Sequence, residues 1–211
     1  MKILQKICFV LVLTMFLSSC STMTKVDSRD CFKDWDIDDC RVKAEQGNDQ
    51  AQYVLGQMYA IGKQVPQDYK ESLKWHKLAA EQGNVEYQHI LGVMYHKGQG
   101  VPQNFKEAVK WYRKSAEQGY SPSHYLLGVM YHNGTGVPKD YVMTLMYWNL
   151  ASVNKGNNRY NLEKKMTLSQ IKKAQELSIE WIRKRNNTSV IPIHIHEVIS
   201  SNRILSNVDE K

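Results

Sequence analysis

No stretch of this 211-residue sequence has the spacing of a familiar catalytic centre. It has no H-E-x-x-H zinc pair, no glycine-rich phosphate loop at a strand–helix junction, and no nucleophile set beside a base in a recognisable motif. Long apolar runs are also missing. The longest, Ile7 to Leu17, is too short for a comfortable membrane span. Cysteine is scarce: there are four, at positions 8, 20, 31 and 40. These absences leave a non-catalytic, exported or anchored protein as the class to test.

What fills the chain is one unit written three times. AEQGNDQAQYVLGQMYAIGKQVPQDYKESLKWHKLA covers 44–79, AEQGNVEYQHILGVMYHKGQGVPQNFKEAVKWYRKS covers 80–115, and AEQGYSPSHYLLGVMYHNGTGVPKDYVMTLMYWNLA covers 116–151. The copies abut at a period of 36 residues, the mark of a solenoid. Gly47, Gly83 and Gly119 align, as do Gly56, Gly92 and Gly128, and the Val-Pro pairs at 65–66, 101–102 and 137–138.

Each copy reads as two helices. In the first copy, helix one runs over 49–61, with Ala51, Leu55, Met58 and Tyr59 at helical spacing. Gly62, Gly98 and Gly134 stand where it should stop. Asp68 is a suitable N-cap for helix two, and Glu71 predicts a capping box that Asn104 and Glu107 repeat. The third copy keeps Asp140 but has Met143 at the box position, which predicts a weaker cap. Trp75, Trp111 and Tyr147 recur as large core anchors. A glycine inside helix one costs about 1 kcal/mol relative to alanine, so Gly56, Gly92 and Gly128 imply close helix approach.

The pattern A-x-x-x-LG-x-MY-x-x-G-x-GVPQDY-x-x-A-x-KWY-x-x-AAEQG resembles the Sel-one-like repeat family, a relative of the tetratricopeptide repeat, over about half the chain. The tract from Lys165 to Trp181 is similar to the closing helix of bacterial members. The sequence departs from the pattern at Gln64, where later copies have Gly100 and Gly136, and at Glu86-Tyr87, where alanine is usual. The resemblance implies an all-α fold, an α–α superhelical solenoid of helix-turn-helix repeats serving as a protein-binding scaffold. It implies neither a reaction nor a cofactor.

Ahead of the repeats, residues 1–19 read as a signal peptide, with Lys2 and Lys6 before the apolar run. Leu17-Ser18-Ser19-Cys20 resembles a bacterial lipobox, which implies acylation of Cys20 and a lipoprotein held in the cell envelope. Ser21 after the cysteine resembles the pattern sent to the outer membrane, with the domain facing the periplasm. Loss of residues 1–19 would leave a net charge of +5 against +7 for the whole chain. Lysine-rich helix faces turned to solvent explain that excess more simply than nucleic acid, which is not expected as a partner.

With Cys8 removed and Cys20 acylated, Cys31 and Cys40 remain, and an oxidising compartment favours a disulfide between them. In one straight helix they would stand ~13.5 Å apart, so a bridge demands a turn near Asp34–Asp38 and a helix beginning at or after Asp36. Residues 20–36 are then a linker, and residues 37–43 a partial N-terminal cap in register with a second helix. Asp34, Asp36, Asp38 and Asp39 resemble a calcium loop but lack its glycine and closing glutamate, so helix-start acids are the preferred reading. Residues 152–185 read as a C-terminal cap: a degenerate first helix over 157–165, then a helix opened by a Thr167–Gln170 capping box. Its apolar face would be Leu168, Ile171, Ala174, Leu177, Trp181 and Ile182. Residues 186–211 belong to no repeat; Ile191–Ile199 alternates like a strand, and His194 with His196 is too small a set for a metal site.

Candidate contact residues are those on the first helices that change between copies, because repeated positions are already explained by packing. One stripe reads Tyr53, Gln57 and Ala60, then His89, Val93 and His96, then Tyr125, Val129 and His132, at i, i+4 and i+7. The first helices of such solenoids line the concave face, so this stripe is the expected partner surface, with some members expected instead to pad the core. His96 and His132 occupy equivalent positions but have no third ligand in register, so no metal site is assigned. The leading expectation is a lipid-anchored envelope scaffold binding a protein or peptide. The alternatives are an immunity protein neutralising a toxic effector in the periplasm, such as a lipase, and, disfavoured, a cell-wall or β-lactam hydrolase.

Overall fold

The computed structural model describes residues 31–151 and 157–188. The expectations for residues 1–30, including the signal peptide and Cys20, and for the Ile191–Ile199 tract lie outside the described residues. Among those described, nine helices and no strands occur: α1 (Ile37–Glu45), α2 (Asp49–Ile61), α3 (Tyr69–Glu81), α4 (Val85–Lys97), α5 (Phe105–Glu117), α6 (Ser121–Asn133), α7 (Tyr141–Leu150), α8 (Asn157–Glu163) and α9 (Leu168–Thr188). From α1 to α7 each helix packs chiefly on its sequence neighbours, as a quasi-one-dimensional stack requires. The fold is the expected α–α solenoid.

The first helices end at Gly62, Gly98 and Gly134, each with φ of 72–73°. The second helices start on Asp68, Asn104 and Asp140, whose side chains accept backbone N–H bonds from the first turn. The expected capping boxes are only half formed. Glu71 and Glu107 do not reach back; they pair with Lys74 and Lys110 at 3.1 and 3.4 Å. The cap residues' own N–H groups are already taken, donating to the carbonyls of Tyr59, Tyr95 and Tyr131 at 2.9, 2.9 and 3.0 Å. The turn between helices thus satisfies the donor that a box would have served, and the third copy, with methionine at that position, loses nothing by it. A full box does form at Thr167 and Gln170, where the Thr167 N–H donates to Gln170 Oε1 (2.9 Å) and the Gln170 N–H to Thr167 Oγ1 (3.2 Å).

The helix-internal glycines allow close approach, as expected, and the group they admit is an aromatic ring. A β-carbon on Gly56 would lie 2.9 Å from the His76 ring, and one on Gly92 would lie 2.6 Å from that of Tyr112. One on Gly128 would collide with Trp148. These rings follow directly after Trp75, Trp111 and Tyr147. The two tryptophans are buried as expected, but Tyr147 is half-buried and its neighbour Trp148 is the buried ring.

The repeated glutamines weld copies together. Gln82 Nε2 donates to Gln52 Oε1 and to the Gly47 carbonyl, both at 2.9 Å, while Gln52 Nε2 donates to the Ala44 carbonyl at 3.1 Å. One copy later Gln118 bonds Gln88 (2.9 Å) and the Gly83 carbonyl (3.0 Å), and Gln88 bonds the Ala80 carbonyl (3.4 Å). The AEQG tract is therefore part of the inter-copy joint, because buried amides need partners.

At the N-terminal end, residues 31–34 form the required turn, α1 starts after Asp36, and Cys31 and Cys40 are bonded with Cα atoms 4.6 Å apart. The aspartates serve the helix start. Asp36 caps it, and Asp39 accepts the Cys31 N–H (2.8 Å) and pairs with Lys43 (2.7 Å). Lys43 and the Cys31 N–H hold the Asp39 carboxyl below its ordinary value. Gln64 is a departure with a structural reason. Gly100 must be glycine because a β-carbon there would strike the Tyr69 carbonyl of the preceding copy. In the frame of the repeat α1 begins four residues later than α3, at Ile37 rather than at the counterpart of Tyr69. Gln64 fills that gap at φ 60° and accepts the Ile37 N–H at 3.3 Å.

The closing segment differs from expectation. α9 packs directly on α7, and α8 makes a slighter contact with α7, so the pair is not a fourth repeat. α8 has seven residues and buries Leu162, whereas α9 buries Ala174, Ser178 and Ile182, and Ser178 Oγ accepts from Asn149 Nδ2 at 3.2 Å. Leu168, expected on the apolar face, is 75% exposed. It sits at the first turn of α9, short of the α7 surface.

Candidate protein-binding face

α2, α4 and α6 turn their repeated side chains inward: Ala51, Leu55 and Met58, with their equivalents, are all buried, including Tyr87 and Ser123, which stand where alanine is usual. Residues 53, 57 and 60 and their equivalents fall on the other side of the same helices. Tyr53, Gln57, His89, Val93, His96, Tyr125, Val129 and His132 are all half-buried.

They divide into two sets. The rings reach across to neighbouring helices. Tyr53 stacks on Tyr87 of the next copy with centroids 4.6 Å apart, and its hydroxyl accepts from Gln57 Nε2 at 3.2 Å. His89 takes the equivalent place one copy on, with Nδ1 2.9 Å from Ser123 Oγ and its ring beside Tyr120 and Tyr112. Tyr87 replaces the usual alanine because Tyr53 offers it a partner ring. Tyr125 lies 6.4 Å from Trp148, His96 meets Phe105 edge-on at 5.3 Å, and His132 stacks on Tyr141 and Trp148 at 5.5 and 5.7 Å. The second set, aliphatic apart from Gln57, lies along the ridge. Gln57, Val93 and Val129 are joined there by Val54, Ile90 and Leu126, which are also half-buried. Sequence reasoning passed over this second trio because an aliphatic side chain in every copy reads as core.

The face is uncharged near neutral pH. Burial lowers the His89 imidazole; burial and Lys97 lower that of His96; burial, Lys139 and Lys165 lower that of His132. Each neutral imidazole rests against a ring of its own copy or the next. No group of three or more His, Cys, Asp or Glu side chains placed to hold a metal occurs among the described residues. Ser169 and Lys172 have the bare S-x-x-K spacing used by some serine hydrolases. Both are exposed on the first turns of α9, away from this face.

Helix pairs stacked in register, joined by glutamine bridges and closed at both ends by helices outside the repeat, define a solenoid of two-helix repeats. The chain belongs to the Sel1 repeat family, which matches it at residues 49–84, 85–120 and 121–152. It is similar to the crystal structure of a Sel1 repeat protein from Oxalobacter formigenes, at 30% identity and a TM-score of 0.52, over 61% of this chain and 96% of that one. It is also similar to a protective antigen present in uropathogenic Escherichia coli strains that displays an SLR fold, at 27% identity and a TM-score of 0.52. There the match spans 81% of this chain and 46% of the antigen. None of the curated proteins compared with the sequence matches it. Sel1 repeats are in general non-catalytic scaffolds for protein contacts.

Proposed function

We propose that this chain is a non-enzymatic, lipid-anchored scaffold of the bacterial cell envelope, facing the periplasm, that holds a protein or peptide partner against the ridge of α2, α4 and α6. One observation carries the reading. The repeated side chains are occupied by packing and joints, while the positions free to vary line one half-exposed, uncharged strip. Aliphatic and aromatic area flanked by polar groups is the composition of an interface core. The rings stiffen the strip, and Val54, Ile90, Leu126, Val93 and Val129 supply the area.

The test is capture of a partner from envelope extract by the full chain in detergent, repeated with Gln57→Glu, Val93→Glu and Val129→Glu combined. Three charges on the ridge should cut capture at least tenfold; Val93 and Val129 also pack on the edges of core clusters, so capture is measured below the thermal midpoint found for the variant. Trp111→Ala is the opposite control. It removes a buried anchor and should cost ~3–5 kcal/mol of stability. Undiminished capture of the same partner by the triple variant would move the binding face elsewhere.

A further inference from the structure

A second surface lies on the outer side of α5. A groove of about 410 Å³ runs between α5 and the α6–α7 turn, with Lys106, Lys110, Arg113 and Lys114 along it, Glu117 at its end and Val109 in its floor. The same place in the other copies carries different charge. In the first copy Lys70, Lys74 and Lys77 correspond to three of the cations, and Lys74 pairs with Glu71 as Lys110 does with Glu107, but Lys77 lies 3.9 Å from Glu81 and Leu78 stands where Lys114 does. In the third copy the counterparts are Val142, Met146, Asn149 and Leu150, on the helix that α9 covers. Since the fold tolerates all three versions, packing does not require the cations of the second copy.

Their arrangement selects the ligand. The four cations do not converge on a point, as a phosphate site would need. Arg113 Nη2 donates to the Tyr131 hydroxyl (2.6 Å), Lys114 Nζ lies 4.0 Å above the Trp111 ring centroid, and Lys110 reaches Glu107 at 3.4 Å. They form a row instead. From Lys106 to Lys114 the helix rises ~12 Å, and side chains four apart are ~6 Å apart along it. Alternate residues of an extended peptide repeat every ~6.6 Å. We infer that this groove receives an extended acidic segment of a partner protein, with carboxylates at alternate residues matching the Lys106–Lys110–Lys114 row and the residues between them turned outward. The site stands on a second helix, apart from the ridge of first helices, and its test is independent of that reading.

The probe is a fluorescein-labelled decapeptide of alternating glutamate and valine, followed by anisotropy on the full chain in detergent. The glutamine–valine peptide is the neutral control. The acidic peptide should bind, weaken severalfold between 50 and 200 mM salt as exposed charges are screened, and lose at least tenfold in affinity with Lys106→Glu and Lys110→Glu combined. Lys106→Gln with Lys110→Gln should give a smaller loss in the same direction, without adding acid to the surface. The matching pair on α3, Lys70→Glu with Lys74→Glu, should change binding less than threefold. Equal loss from both helices would reduce the effect to diffuse charge and overturn the site. So would equal binding of the neutral peptide, or binding to phosphatidylglycerol vesicles with none to the peptide. The Gln57→Glu ridge variant, which lies in the first copy away from this groove, should leave the affinity for this peptide within threefold, so failure of either surface is read separately.

Discussion

At the scale of single residues, two buried imidazoles govern how this protein responds to acid. His76 sits over Gly56 at 2% exposure, and His124 takes the place of Gln52 and Gln88 at 1% exposure, edge-on to Trp181 at 4.9 Å. Burial lowers His76 to about 4, and burial with the nearby Arg185 guanidinium lowers His124 to about 4. Unfolded histidine titrates near ~6.5, so the unfolded chain takes up protons first as pH falls. Stability from both groups is complete above ~6.5 and drains away toward pH 4, by on the order of 3 kcal/mol for each imidazole. Thermal melts should therefore be flat from pH 8 to 7 and fall steeply below. His124→Gln restores the residue of the other copies and should flatten the histidine-dependent slope, read as the difference from the unaltered chain. An unchanged slope would mean that His124 titrates in the folded chain as it does in the unfolded one.

At the scale of elements, the ends of the stack are the informative parts. α1 is short and buries Cys40 and Ala44, and the Cys31–Cys40 bond ties its first turn to the preceding loop. A closed loop this short adds about 2–3 kcal/mol by restricting the unfolded chain. Cys31→Ser should lower stability by about that much, and the loss should be local. Backbone hydrogen exchange over 37–45 should accelerate, while α4 to α7 keep their protection, since neighbours in a solenoid couple only to neighbours. Uniform acceleration along the whole chain would show that the cap sets global stability instead. The C-terminal end follows different logic. There one long helix, α9, covers α7, because α8 has too little apolar area to do so.

At the scale of the whole molecule, anchoring decides where both surfaces can act. Among the described residues no helix is long and apolar enough to cross a membrane. The proposed attachment is the acyl group on Cys20, eleven residues ahead of the disulfide cysteine Cys31. Cys20→Ala should leave the protein in the soluble envelope fraction or accumulate an unprocessed precursor, followed by fractionation and intact mass. Normal membrane partitioning at normal size would remove the lipid anchor from the proposal.

The period of 36 residues, the pairing of helices, the glycine stops, the aspartate and asparagine N-caps and the turn demanded by Cys31 and Cys40 were all legible in the sequence. Each depends on residues within about a turn of one another, or on simple repetition, and such local rules act before any tertiary contact forms. Only the folded chain decided the rest. It chose Tyr59, Tyr95 and Tyr131 carbonyls over Glu71 and Glu107 as partners for the cap N–H groups. It put His76, Tyr112 and Trp148 over the glycines, bridged the copies through Gln82 and Gln118, and left Val54, Ile90 and Leu126 half outside. An aliphatic residue repeated in every copy is a core residue or a surface ridge depending on the angle at which one copy stacks on the next. Side chains some thirty residues apart set that angle, beyond the reach of any local pattern.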